Sequence, residues 1–514
     1  MLRFDVYTDG APATEVDLSG AYLFGQDGIP MRADLTFDEG QILCIKRVAG
    51  ASGLSLLWQA GEAGRILLPT CRLSERDKPY NLNVEMARAQ MMRIAQKRED
   101  WGLFDYPDAE AINAEFDVVR GKFIEALKAS DDGATAAELA DEALAEGIIL
   151  GERIALFHAD IFIARKKAAG PSALRTTFGC GADLATGNDA TLERFRETFD
   201  FMVIPMPWKH IEPKERQYDY ARIDGWITWA ARNKKMVHAG PLLSFESGDL
   251  PDWLYLWEND YDALRDMAYE HIQRTVKRYE RGVHVWRVVC GLHAYNNFNL
   301  SFEQLMELTR MSCQTVKKLV PRSQVLIDLV MPWSEYYARN PKSIPPLLYA
   351  DMAVQSGVKF DAFGVQICMG APVDGYYLRD LLQISAMLDE FVGFGKPLHI
   401  TACQVPSDVA VDPQDAWSGQ AAPSRGGCWH VPWSPRLQAE WLQAFYRISM
   451  SKPFVESVCW RDLSDAGGHF LPNSGLCGKE LEPKLAYREL RNLKSYLAAS
   501  KVSVIDQQRR PNNT

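Results

Sequence analysis

The residues best able to do chemistry in this 514-residue chain stand at the ends of short apolar runs. Arg461-Asp462 and Asp465 follow VESVCW, Gln404 follows PLHITAC, and His293 follows HVWRVVC; Gln366 lies inside AFGVQICM and Glu246 inside GPLLSFESGDL. A carboxyl such as Glu246, Asp462 or Asp465 can hold or deliver a proton. An arginine beside a carboxylate, as in Arg461-Asp462, can bind a polar ligand through a rigid fork of N–H donors. The same two residues can equally be an ion pair at the rim of a domain. Cys180, Cys290, Cys368, Cys403 and Cys459 also fall at or near the ends of these runs, and with His293 or His469 they supply the atom types of a thiolate metal site. No Cys-x-x-Cys pair or other ligand spacing accompanies them, so they read as small buried hydrophobes, and neither metal nor cofactor is expected.

For such residues to meet, the runs must be strands of one sheet. From Thr176 onward eight apolar runs (178–184, 201–207, 235–243, 284–290, 324–330, 362–369, 397–403 and 455–460) alternate with amphipathic segments such as 193–198, 223–232, 261–281 and 302–319. Alternating β and α units imply a parallel sheet, and eight of them fit a closed (β/α)8 barrel, whose site lies at the C-terminal ends of its strands. The expected organisation is a β-rich, sandwich-like module over 1–78, a helical segment over 79–172, the barrel over 173–500 and a polar tail over 501–514. In the first module Leu2, Phe4 and Val6 alternate with polar residues, and Gly- and Asp-rich turns separate runs such as QILCIKRV. In the second, Val84, Ala87, Met91 and Ile94 keep helix spacing, as do Phe116, Val119, Phe123 and Leu127. Ser130-Asp131-Asp132 is a helix start signal, His158 reads as a packed core histidine, and Gly170-Pro171-Ser172 breaks the pattern.

Six segments resemble, in order, those of glycoside hydrolase family 10. PWKHIEPKERQYDY, with Trp208, Glu212 and Pro213, is similar to MKW…EP…F; AGPLLSFESGDLPDWL to GHxLVWHxxLPxWL; and HVWRVVCG to WDVVNE. FGVQICM resembles GxQxH, HITACQV resembles ITELD, and VCWRDLSD with its Trp460, followed by EPKLAYREL, resembles WGxxD and the terminal Pro-Lys-x-Ala-Tyr motif. The resemblance implies a xylanase-like barrel over roughly 174–497. It also implies that the acid/base glutamate position is Gly291, preceded by Cys290 where the family has a sugar-contacting asparagine, and that the nucleophile position is Ala402. Cys368 stands for the histidine that supports the nucleophile, Pro207 for the lysine of MKW, Gly240 for the histidine of the third segment, and Ser244-Phe245 for its Trp-His pair. Asp328, at the family's fifth-strand asparagine, reads as a stabiliser of the barrel. Retaining glycosidases need two carboxyl groups about 5–5.5 Å apart, and glycine and alanine supply neither.

The long stretch 406–434 after the seventh run carries Trp417, Trp429, His430 and Trp433. These aromatics either offer platforms for sugar stacking or pin the loop to the barrel. A net charge of −10 argues against nucleic acid or an anionic membrane as partner, and no run of about 18 apolar residues is present. The start MLRFDVYTDG lacks a secretory pattern, which with reduced thiols leads to an expected cytoplasmic setting; the oligomeric state has no signature. Three functions compete. A non-hydrolytic relative would bind a carbohydrate or polyol at the old cleft. An active enzyme with relocated carboxylates would use Glu246, Asp462 or Asp465. An assembly subunit would keep the barrel as a scaffold, with a filled cleft.

Overall fold

The computed structural model describes residues 1–170, 176–185, 189–340, 342–467 and 469–508, the last stretch without side chains beyond 497. The break read at Gly170-Pro171-Ser172 therefore lies partly outside the described residues, as does the end of the polar tail. The terminal helix Leu485–Gln508 runs into the stretch read as that tail.

Two antiparallel-type sheets occupy the N-terminal part. In one, Leu2–Asp5 pairs antiparallel with Gln41–Lys46, which pairs with Ala33–Asp38, and Tyr80–Asn81 adds in parallel at the other edge. The second contains Tyr22–Phe24, Pro30–Met31, Gly53–Gln59 and Gly64–Pro69. Its last strand, Cys428–Trp429, comes from the long loop of the barrel, so the two parts are stitched by backbone hydrogen bonds. Three helices follow: Leu82–Asp100, Glu110–Lys128 and the 36-residue Gly133–Ala168. Asp132 caps the long helix by accepting from the backbone N–H of Ala134 and Thr135, where the start signal stands. Small residues line its inner face: Ala136, Ala140, Ala143, Gly147 and Ala155 are buried there, and the Gly147 backbone packs beside Met91 Cε and Gln90. His158 is buried and stacks on Trp101 at 4.3 Å, and burial lowers its pKa to about 4, so it packs as a neutral ring.

The barrel strands are β1 (Thr177–Gly181), β2 (Phe201–Ile204), β3 (Met236–Ala239), β4 (Val285–Cys290), β5 (Gln324–Leu329), β6 (Ala362–Cys368), β7 (Leu398–Gln404) and β8 (Val455–Trp460). Every neighbouring pair is parallel, and β8 pairs with β1, closing the ring of eight that the sequence rhythm predicts. A short strand, Leu243–Ser244, extends the sheet beside the end of β4. The strands are almost wholly buried because the inside holds side chains and the outside is covered by helices. The helix Phe302–Leu319 opens with a complete capping box between Ser301 and Gln304.

Inside the barrel, Asp328 is a hub. Its Oδ2 accepts from Arg287 Nε at 2.9 Å and Nη2 at 2.5 Å and from Gln366 Nε2 at 3.0 Å, while Oδ1 accepts from Thr401 at 2.5 Å. A buried charge needs such saturation to be tolerated. These bonds tie β4, β5, β6 and β7 together directly below their C-terminal ends.

Candidate functional site

Because all eight strands run the same way, their C-terminal ends and following loops meet at one mouth, which holds a cavity of about 430 Å³. Gly181 and Ala182 close one side, with Pro205 and Pro207 from the loop after β2. The loop after β3 supplies Gly240, Glu246 and Asp249. Arg287, Cys290, Gln366, Thr401 and Ala402 form the floor. Arg461 and Asp462 follow β8, and Asp415 and His469 come from the long loops above.

The polar groups are partly committed. Arg287 is spent on Asp328. Gln366 relays between the hub and the rim: its Nε2 donates to Asp328, and its Oε1 accepts from Arg461 Nη1 at 3.0 Å. The Arg461 guanidinium also lies 3.9 Å from the centre of the Phe470 ring. Asp462 does not pair with it as an ion pair; its Oδ2 accepts from Gln404 Nε2 at 2.7 Å and Phe470 N at 2.9 Å. Burial, then the neighbouring Asp249, raises Glu246 to about 7, and burial also raises Asp249. The thiols are held protonated: burial pushes Cys368 up to about 12 and Cys290 well above its ordinary value, conditions under which a cysteine is inert. Among the described residues, no three or more His, Cys, Asp or Glu side chains are grouped to hold a metal ion.

The mouth above β4 to β7 is filled rather than open. Tyr295, Tyr376, Trp417 and Phe470 pack with Cys290, Val330, Met331, Cys368 and Ala402. The rings of Tyr376, Trp417 and Phe470 lie 5.0–5.5 Å apart, and the Tyr295 and Tyr376 hydroxyls are 3.2 Å apart. Gly291 sits at the edge of this plug. It takes φ 62°, its carbonyl accepts from Ala294 N and Tyr295 N, and a Cβ there would stand 2.8 Å from Tyr295 Cδ2 and 3.1 Å from Val330 Cγ2. The position is thus the first residue of a tight turn, with no room for a side chain.

Of the residues singled out from sequence, Glu246, Cys290, Gln366, Ala402, Arg461 and Asp462 meet at the cavity. Pro207, Gly240, Cys459 and His469 line it as well. Several of the rest are engaged elsewhere. Trp208 is buried, donates to Glu212 at 2.8 Å and stacks on His271. His293 is buried; its Nε2 accepts from Val330 N, which places the proton on Nδ1, 2.6 Å from the Tyr336 hydroxyl. Burial lowers its pKa to about 3. Gln404 is fully buried behind Asp462, and Trp460 is buried with its Nε1 donating to Ser474 O. Asp465 turns away to Lys484 Nζ at 2.5 Å and to Gly475 N. Trp429 donates to Glu152 at 2.7 Å and Trp433 to Gly427 O at 3.1 Å, so these two pin the loop as the pinning alternative describes. Trp417 belongs to the aromatic plug. Cavity residues that sequence reasoning missed are Asp249, Asp415 and Arg287. Asp249 had a local signal, three residues after Glu246 in the same loop; Asp415 and Arg287 had none.

The family model described as glycosyl hydrolase family 10 matches residues 172–491. Among solved structures the chain is similar to GH10 from Paenibacillus barcinonensis, at 17% identity over 64% of this chain and 97% of that one, with a TM-score of 0.47. Xylanase 10B from Thermotoga maritima is 16% identical over 63% of this chain and 97% of its own, TM-score 0.46. Xylanase 10B from Thermotoga petrophila RKU-1, solved in complex with xylobiose, is 17% identical over 64% and 96%, TM-score 0.47.

Proposed function

This chain belongs to glycosyl hydrolase family 10, and on that premise we propose that its barrel mouth binds a short carbohydrate or related polyol without the family's double-displacement hydrolysis. The observation that carries the reading is the state of the two positions the resemblance assigns to catalysis. Gly291 is a left-handed turn residue against Tyr295, and Ala402 is a methyl group in the cavity floor beside the plug. Neither can protonate a leaving oxygen or attack an anomeric carbon. Beside them a polar cavity of about 430 Å³ remains, toward the small end of the roughly 300–1,000 Å³ usual for ligand pockets. The aromatic plug over β4 to β7 favours a ligand of few sugar units over the interior of a polymer.

A calorimetric screen of xylo- and gluco-oligosaccharides of one to six units tests this, with product analysis on every binder. The reading expects binding of short members and no cleavage. Treatment with a 2-fluoro-xyloside followed by intact-mass measurement completes it: a stoichiometric adduct on an aspartate or glutamate means a working nucleophile and ends the non-hydrolytic reading.

One observation favours a second reading. Glu246 titrates near neutrality beside Asp249, the property of a general acid, and Asp462 also lines the cavity. A relocated acid acting with a carboxylate base about 6.5–9.5 Å away would invert the anomeric centre. Product stereochemistry by NMR, with loss of turnover in Glu246→Gln, is the result that reading requires. A reducing, cytoplasmic setting belongs to the same proposal and is supported by ten free cysteines.

A further inference from the structure

The proposed carbohydrate reading leaves open what distinguishes the ligand, and the charges of the cavity bear on it. Glu246, Asp249, Asp415 and Asp462 all line it. Two arginines do so as well, but Arg287 is neutralised by Asp328, and Arg461 makes no ion pair among the described residues, directing Nη1 at the Gln366 amide and its face at Phe470. Acidic side chains in excess do not by themselves make a site; their unmet bonding capacity is the independent sign. Asp415 is 6% exposed, and while its Oδ1 accepts from Trp417 N and Gly419 N, its Oδ2 has no hydrogen-bond partner among the described residues. His469 is 3% exposed and also lines the cavity; among the described residues neither ring nitrogen has a hydrogen bond, and the Asp412 carboxylate lies 3.2 Å from Nε2. The Glu246 carboxylate accepts no hydrogen bond from the described residues. Unsatisfied buried atoms occur elsewhere in the fold as well, but here they converge on one cavity together with the open Glu246 carboxylate, so the cluster points to donors that a ligand brings.

Hydroxyl groups would satisfy the acceptors but leave the charge. Burial and Asp249 outweigh both arginines at Glu246, and no cation pairs with that carboxylate among the described residues. A ligand cation resolves hydrogen bonding and charge together, through N⁺–H donors to carboxylate oxygens, the stronger class of hydrogen bond. We propose that the mouth cavity selects a sugar carrying a protonated amine, an unacetylated amino sugar of one or two units, with its ammonium among Glu246, Asp249 and Asp415 and its hydroxyls toward Asp462 and His469. An anionic sugar is disfavoured, since Arg461 alone faces four carboxylates.

This rests on the carbohydrate reading, and the test separates the two. Calorimetry on the full chain compares glucosamine and its β-linked dimer with their N-acetyl forms, with cellobiose and xylobiose, and with glucuronic acid. The expected result is binding of the amines at least about tenfold tighter than of the N-acetyl forms, shrinking with added salt. In Glu246→Gln/Asp249→Asn the gap between amine and N-acetyl forms should close, with circular dichroism confirming the fold. If that variant does not fold, the wild-type comparison and its salt dependence decide alone. Equal binding of N-acetyl or neutral sugars overturns the amine inference and leaves the carbohydrate reading standing. Tightest binding of glucuronic acid overturns it in favour of Arg461 as the charge selector. Binding of no saccharide defeats both.

Discussion

Replacing Gly291 by alanine probes the turn at the position that the resemblance assigns to the acid/base. Two costs follow from the structure. A non-glycine residue at φ 62° pays about 1–2 kcal/mol for the left-handed conformation. The new methyl would lie 2.8 Å from Tyr295 Cδ2 and 3.1 Å from Val330 Cγ2, and overpacking of this kind costs about 1–3 kcal/mol. The ring cannot swing away freely, because it is buried against the plug and its hydroxyl meets that of Tyr376. The sum, about 2–5 kcal/mol, corresponds to a melting temperature lowered by roughly 3–7 °C for a barrel spanning residues 172–491. Scanning calorimetry of Gly291→Ala, Tyr295→Ala and the double variant measures it. Trimming Tyr295 should recover the packing share, a coupling of about 1–3 kcal/mol, and leave the conformational share. A variant that is neutral, or more stable by about 0.4–1 kcal/mol as at a glycine with ordinary dihedrals, would refute the reasoning. The consequence for chemistry is direct. Glu restored at 291 must enter the aromatic plug rather than the cavity, so the variant with glutamates at both 291 and 402 is expected to lose stability without gaining xylan hydrolysis.

Three further outcomes are expected. Asp328→Asn leaves Arg287 buried without its counter-charge and should cost about 3–5 kcal/mol in urea unfolding; a change under 1 kcal/mol would mean the hub is relaxed by water. Burial first, then Asp249, raises Glu246 above the usual carboxylate range to about 7, so its ionisation opposes folding: the penalty is absent below about pH 4.5 and grows up to about pH 7. Glu246→Gln should therefore raise the melting temperature at pH 8 and leave it unchanged at pH 4, the reverse order being incompatible with the assignment. His430 behaves oppositely: burial alone would lower its pKa, but the hydrogen bond and charge of Glu152, with the Glu62 carbonyl at Nδ1, raise it above the usual histidine value. The imidazolium thus stabilises the clasp between the long loop and the N-terminal part below about pH 6.5, and this is lost as pH rises through its folded pKa. NMR titration of the histidine Cε1 protons should find His430 above the usual value in wild type and back at it in Glu152→Gln.

Period and punctuation made much of the architecture legible. Alternating burial in Gln41–Lys46, helix spacing from Val84 to Ile94, the Asp132 cap and the eight apolar runs are local statements, since each depends on which face of a short segment meets the core. The ordered motifs identified the barrel family for the same reason: they mark strand ends, and strand ends in a parallel barrel share one mouth. Glu246, Arg461 and Asp462 could be named from that rule, because a residue one to several places past a strand must lie at the rim.

Other features depended on which distant segments meet. In sequence Trp429 and Trp433 could be sugar platforms or loop pins; Cys428–Trp429 pairs with Gly64–Arg65 and Trp429 donates to Glu152, contacts hundreds of residues apart that no local pattern shows. Tyr295 and Tyr376 have no local mark of function, but together with Trp417 and Phe470 they fill the mouth over β4 to β7. The sequence alone determined that this chain forms a (β/α)8 barrel of family 10, because periodicity and motif order are properties of the chain itself. Only the tertiary structure decided that Gly291 is locked in a turn, that aromatic rings fill the mouth over β4 to β7, and that Glu246, Asp249, Asp415 and Asp462 line one cavity. Side-chain volume and charge compensation are set by neighbours brought together on closing the ring, and no single segment encodes them.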